Sequence, residues 1–406
     1  MRGAGELRAK EEEAMSKRAL GLTLFALAAG LAANAARAED LIAGLPDDLK
    51  TLYIGATSTL APSAYDNFKP PAAPWKWCHS ESYQGNPWRV TVTNELKRLV
   101  EGLKSAGIES SFEVSDSNND TGQQINQIHA FIDKKCTVIT SIAGSATALN
   151  DVIKAAYDAG IPFITAAGSV TSPYAINVDS NYAAWGYDMI KAIAKATGGK
   201  ADVLMVEGIA GHPIVAQERA GADRALKEEP GLKIVRTVNG NWTANVTKTV
   251  VLQALATYPG KIDAVWTTGS ESRVVAEAFA QAGRKPPLIT GSITGDALGY
   301  WKANPDKYHF TGHGVLPQWT AETLFRVAVR VLEGEKPKLN TLMMPIPAIT
   351  EADFPAIYKP CMTADAVSVF PVPASDPVPE ATLDGYFQAP APTKGWDYAK
   401  VPSACP

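Results

Sequence analysis

The feature that most constrains this chain is a twice-repeated alternation of short β-rich runs with amphipathic helical ones. Residues 51–57 read as a buried strand. Residues 90–106 follow as a helix, with Leu96, Leu99, Val100 and Leu103 at helical spacing and Gly107 as the stop. Strands are then expected at 111–114, 137–140 and 162–165, with helices at 120–134 and 146–159 between them. The rhythm restarts at 202–206, with further strands at 233–238, 263–266 and 287–290. The helices between and after them run to about 227, over 245–258 and 272–282, and over 319–332, before the stop Gly334-Glu335-Lys336-Pro337. Alternation of this kind builds a parallel sheet covered by helices on both faces. Two such units give an α/β fold of two doubly wound lobes, whose ligands sit at the carboxyl ends of the strands, here in the cleft between lobes.

Two segments break the rhythm. Residues 61–84 are rich in Pro and Trp, and we read them as an insertion at the cleft edge. Residues 361–406 are Pro-rich with scattered aromatics, and read as a tail wrapped over the surface.

The start of the chain has its own grammar. Met15-Ser16-Lys17-Arg18 is a short basic stretch, residues 20–33 are apolar, and Ala36-Arg37-Ala38 places small residues where a signal peptidase reads. The apolar core is shorter than the ~20 residues that cross a bilayer, so 1–38 reads as a cleaved signal peptide and the mature chain begins at Glu39. Six of the 38 Lys/Arg and four of the 42 Asp/Glu lie in 1–38, which leaves a net charge of about −6. No basic stripe remains, so nucleic acid is not an expected partner. The four cysteines, Cys78, Cys136, Cys361 and Cys405, all fall in the exported part, where an even count points to disulfides. Three connectivities are open; Cys78 with Cys136 and Cys361 with Cys405 is the favoured one.

Several short stretches, in order, resemble the type I periplasmic binding proteins of the ribose/galactose-binding branch. They are Asn86-Pro87-Trp88-Arg89, the run from Asp158 to Ile164 with Gly160-Ile161-Pro162 at its centre, Gly208-Ile209-Ala210-Gly211 with Glu218-Arg219 and Gly221, and Gly334-Glu335-Lys336-Pro337. The resemblance spans roughly 52–349. It implies two lobes joined by three crossing strands, about 50–178 plus 316–345 and 179–315 plus 346–360, which hinge shut on a small molecule. It also implies the periplasmic component of an ABC importer, a monomer that hands its ligand to a membrane permease, with no cofactor, metal or catalysis.

The same resemblance places Trp88 and Trp242 as aromatic platforms for a sugar ring. Asn86 can donate and accept towards hydroxyls, or cap a helix, or both. Arg219 aligns with the family's ligand-binding Arg, the bland alternative being a surface ion pair. Arg89 adds charge to the cleft, and His212 lies in a turn aimed at it. Gly168, Ser270, Glu271, Ser292 and Val315 fall where sugar binders carry Asp, Arg, Asn or Gln, so ordinary ribose or galactose is not the expected ligand. The retained Trp, Asn and two Arg fit a deoxy sugar, polyol, sugar acid or small aromatic acid. A sensory binding protein shares all these features. No G-x-S-x-G elbow or H-E-x-x-H occurs, and His309 and His313 lie in a strand-like run, so a hydrolase would need a triad assembled from distant residues.

Overall fold

Among the described residues, two six-stranded sheets share one strand order. The first runs β11-β5-β4-β3-β1-β2, from β1 (Trp75–Glu81), β2 (Ser110–Asp116), β3 (Val138–Ile142), β4 (Phe163–Ala166), β5 (Ala175–Ser180) and β11 (Thr341–Met344). The second runs β12-β10-β9-β8-β6-β7, from β6 (Ala201–Glu207), β7 (Leu232–Asn239), β8 (Ala264–Thr267), β9 (Leu288–Ser292), β10 (His309–His313) and β12 (Ala348–Ile349). Every pairing is parallel except β12 on β10. In each sheet the order reverses beside the first strand, between β1 and β3 and between β6 and β8, and such points open crevices at the strands' carboxyl ends.

The computed structural model describes residues 39–305, 309–314, 316–371, 376, 378–390 and 405. The expected signal peptide, 1–38, and Val315 lie outside the described residues. The chain divides into two compact units, Met1–Leu45 and Pro46–Pro406. In the first, 39–43 form a helical turn in which Ala43 N donates to Glu39 O; the second carries both sheets.

The helices of the second unit are α1 (Asp47–Leu52), α2 (Pro87–Gly102), α3 (Thr121–Asp133), α4 (Asn150–Asp158), α5 (Tyr182–Thr197), α6 (Pro213–Glu228), α7 (Ala244–Thr257), α8 (Ser272–Gln281), α9 (Gly295–Ala303), α10 (Pro317–Leu332), α11 (Phe354–Ile357) and α12 (Glu380–Tyr386). The chain passes from the first lobe to the second between β5 and α5, returns between β10 and α10, and crosses again between β11 and β12.

Two expectations fail at the N-terminal end. Residues 51–57 form no strand. Asp47 and Asp48 open a helix instead, where acidic side chains complement the positive end of its dipole, and the turn after it ends at Gly55 with φ 72°. Leu49 and Tyr53, four apart on one helical face, are the residues that bury. The first strand is β1, inside the segment taken for a cleft-edge insertion. The rest of that segment docks at the other end of the sheet: Tyr65 OH donates to Tyr174 O (2.7 Å) ahead of β5 and accepts from Phe163 N (3.1 Å) at the start of β4. β5, α5, α9 and β10 also form where the sequence reading placed no element.

The tail is more than a surface wrap. Arg326 and Arg330 of α10 are buried beneath it, paired with Asp376 (2.9 Å) and with Glu380 and Asp384 (2.6 Å each). Phe370, Leu383, Tyr386 and Phe387 are buried as well, so α10 is covered on its outer side by a segment that carries its own short helix, α12. Cys78 is bonded to Cys136 and Cys361 to Cys405.

α5 and α6 touch backbone to backbone in the second lobe. A Cβ on Gly221 would stand 1.8 Å from Ala183 O, and one on Gly186 would stand 2.0 Å from Glu218 O. That contact fixes the rotation of α6, and with it which side chains face the cleft. Gly221→Val is expected to lower the urea midpoint by the equivalent of about 1–3 kcal/mol or more, as overpacking does. An unchanged midpoint would mean that the helices do not meet as described.

Candidate functional site

The cleft is built around the last residue of β1. Glu81 is wholly buried, and its carboxylate accepts from Arg89 Nη1 (3.1 Å), His79 Nε2 (3.2 Å) and Thr93 Oγ1 (3.2 Å). Arg89 stands in the first turn of α2 because Asn86 caps that helix, its Oδ1 accepting from Arg89 N (3.0 Å) with Pro87 following. Asn86 is thus a cap, and its amide also donates towards Trp242 O across the cleft (3.4 Å). The guanidinium continues outward to Ser82 Oγ (3.0 Å) and to His212 Nε2 in the second lobe (3.1 Å).

His212 ends the β6–α6 turn. A guanidinium only donates, so Nε2 accepts and the ring proton sits on Nδ1. The 3.3 Å approach of Ile214 N to Nδ1 then finds no lone pair, and the charge-assisted bond to Arg89 is the one kept. Burial, reinforced by the neighbouring Arg89 charge, holds His212 well below the usual imidazole range, so it is neutral. With Tyr83 OH against Thr243 Oγ1 (2.7 Å), three polar contacts join the lobes here.

Trp242 comes from the turn after β7, where Asn241 and Trp242 both hold positive φ, 54° and 49°. Such a backbone is strained for bulky residues and persists where its surroundings dictate it. Gly208, just after β6, leaves room for it: a Cβ there would lie 2.1 Å from the indole. The ring rests flat on that backbone and meets His212 edge-on, centroids 4.9 Å apart.

One cavity gathers these groups. Asn86, Trp88, Arg89, Trp242, Ser270 and Ser292, all singled out from sequence, line it together with Ala167, Tyr182, Trp185, Ile214, Glu218, Thr268 and Gly269. Its free volume is ≈ 70 Å³, and since a water needs roughly 10–15 Å³ by that measure, the space is that of one small ring. Glu271 stands next door, and Gly168 sits behind His212 with its N–H on Asp179 (3.1 Å). Arg219 does not line the cavity. It is partly exposed and paired with Asp223 (2.7 Å) and Glu207 (3.0 Å), the ion-pair alternative.

The residue that α6 turns inward is Glu218, one position earlier. Ile214, Glu218, Ala222 and Ala225 form the buried stripe of the helix, and that spacing was available in the sequence. Trp185 and Tyr182 belong to α5 and were missed with it. Among the described residues, Trp185 Nε1 and Ser292 Oγ are buried without a hydrogen-bond partner, and both residues line the cavity. Native structures seldom leave such groups unpaired without a reason.

Burial pushes Glu218 up to about 8, partly offset by the bond from Thr268 Oγ1 (2.7 Å). Burial likewise raises Glu271 to about 8, with the Asp296 charge adding to it. At neutral pH both are largely protonated, able to donate as well as accept. Among the described residues no group of three His, Cys, Asp or Glu side chains is placed to hold a metal ion.

A family model described as a periplasmic binding protein domain matches residues 80–336. The chain is 25% identical over 243 residues to a xylitol-binding protein of Mycolicibacterium smegmatis, covering 58% of this chain and 68% of that one. It is 26% identical over 234 residues to a galactofuranose-binding protein of Escherichia coli, covering 55% and 72%. An ABC transporter solute-binding protein from Thermobispora bispora superposes with a TM-score of 0.65 at 28% identity, over 73% of this chain and 90% of that one.

The raised carboxyl of Glu218 has a measurable consequence. The unfolded chain loses this proton near its ordinary pKa of 4.5 and the folded chain near 8, so the folded state binds more protons between the two values. The group's contribution to stability therefore falls as pH rises through that window, by up to about 1.4 kcal/mol per pH unit. Urea midpoints of wild type and Glu218→Gln, compared from pH 5 to 8, should converge or cross as pH rises in favour of the variant. Parallel profiles would contradict the assignment.

Proposed function

The chain belongs to the periplasmic binding protein family, and from that premise we propose that it captures one neutral, hydroxyl-rich small molecule, a monosaccharide or polyol. The observation that carries the reading is the charge balance of the cleft. Arg89, the one arginine among the described residues that line the cavity, is already paired with buried Glu81, and Arg219 is turned away onto Glu207 and Asp223. Glu218 faces the cavity as a carboxylic acid at neutral pH. Among the described residues that line the cavity, no uncompensated cation is offered to a ligand carboxylate, so the sugar-acid and aromatic-acid readings lose their support.

The remaining chemistry suits a hydroxylated ring or chain. Indole faces pack on its C–H surface, and Trp185 Nε1, Ser292 Oγ and the Glu218 carboxyl hydrogen-bond its hydroxyls. The xylitol- and galactofuranose-binding relatives are named for ligands of this class. In this reading the protein catalyses nothing, is exported to the periplasm by the leader 1–38, acts as a monomer, and delivers its ligand to the membrane permease of an ABC importer. Closure of the lobes on the ligand, with Arg89 reaching His212, is the form the permease meets.

Titration calorimetry on residues 39–406 tests the charge argument with matched pairs: xylitol against xylonate, and galactose and arabinose against their aldonic acids. At least one neutral member is expected to bind, and its acid to bind at least 100-fold more weakly. Trp88→Ala and Trp185→Phe should each weaken the neutral ligand roughly 10-fold, about 1.4 kcal/mol. An acid that binds as tightly as its neutral partner would overturn the reading.

A further inference from the structure

A second cavity of ≈ 260 Å³ abuts the first, and Asn86, Trp88, Trp242 and Ser270 line both. Its outer wall comes from a part of the chain beyond the family match, which stops at residue 336. Val367 and Phe370 stand there beside Asn245, Glu271 and the Arg273–Asp296 pair.

The C-terminal segment is anchored on both lobes at this point. Met362 is buried in the core of the second lobe, with Cys361 and Val369 packed against it, and Val369 O accepts from Gly295 N (2.7 Å). The very next residue, Phe370, is buried with Leu316 and Trp319 of the first lobe, and Trp88 packs on that cluster. Beyond it Asp376 and Val378 O hold Arg326. The strap therefore steps from lobe to lobe between Val369 and Phe370, beside the tryptophan expected to carry the sugar ring.

The chemistry of this outer space matches that of the inner one. It has apolar faces in Trp88, Val367 and Phe370, amide and hydroxyl groups in Asn245 and Ser270, and, among the described residues that line it, no uncompensated cation, since Arg273 donates to Asp296 (2.7 Å) and to Glu277 and burial keeps Glu271 largely protonated. We infer that the outer cavity is a second subsite, which holds a sugar ring attached to the one in the inner cavity, so that the preferred ligand is a neutral disaccharide or glycoside. The inner space takes a single small ring, whereas the outer one is the larger of the two. This inference rests on the ligand class proposed above.

The test compares affinities within pairs by titration calorimetry: D-galactose with galactobiose, L-arabinose with arabinobiose, and xylitol with galactosyl-xylitol. For the pair that binds, the two-ring form is expected to be at least 10-fold tighter in wild type. In Val367→Trp, which fills the outer cavity from an exposed position, that ratio should fall to near one, as it should in Asn245→Ala, which removes a hydrogen-bonding group without adding bulk. Melting of each ligand-free variant at the wild-type temperature verifies that it is folded. Equal affinities within every binding pair, or a ratio that Val367→Trp and Asn245→Ala leave intact, would overturn the subsite while leaving the monosaccharide reading standing. Acids binding in place of all these neutral probes would overturn both.

Discussion

The cleft depends on one buried ion pair, Glu81 with Arg89. A carboxylate with no exposure is tolerable only when its oxygens are filled, and here a guanidinium, an imidazole and a hydroxyl fill them. The pair joins the end of β1 to the first turn of α2, and so places the helix start that presents Asn86 and Trp88. The other arm of the same guanidinium reaches His212, so the group that neutralises the first lobe's wall also touches the second. Because the Arg89 charge is satisfied within the protein, the cavity wall is left with aromatic, hydroxyl and amide groups and the Glu218 carboxyl.

The second lobe prepares its wall differently, by close backbone approach rather than by charge. Gly208 lets the Trp242 indole lie against the chain, and the close approach of Gly186 to Glu218 and of Gly221 to Ala183 sets α6 so that Glu218, not Arg219, looks into the cavity. In both lobes many of these groups follow the first strand of the sheet, β1 or β6, beside the reversal of strand order where adjacent loops diverge and leave room. The strap then joins the lobes a fourth time at the mouth, after the three passages that the two sheets share.

The architecture was legible because most strands are apolar runs between helices of clear 3.6-residue period. β1 was not, and the reason is physical. Trp75–Glu81 carries Lys76, His79, Ser80 and Glu81, a polar series that resembles no buried strand until its partners are known. His79 and Glu81 of that series support the cleft through Arg89, so the strand was hidden in part by its function. Residues 51–57 had the opposite property, an apolar run whose helix start lay in Asp47 and Asp48 just upstream. At the site, Asn86, Trp88, Arg89 and Trp242 were found through short motifs. Glu218 was displaced by its charged neighbour, although the buried stripe from Ile214 to Ala225 pointed to it. Trp185 was out of reach, because nothing marked α5 as a helix that changes lobes.

The measurement that bears most directly on this account is the ligand selectivity of Glu81→Gln. The substitution keeps the shape and removes the compensating charge, at a cost to stability of about 3–5 kcal/mol that circular dichroism would first show to be survivable. With Arg89 left unbalanced on the cleft wall, the preference for a neutral sugar or polyol over its aldonic acid should shrink at least 10-fold relative to wild type, read by calorimetry on both ligands. A folded variant with the wild-type preference unchanged would show that the Glu81–Arg89 pair does not set the charge of the site.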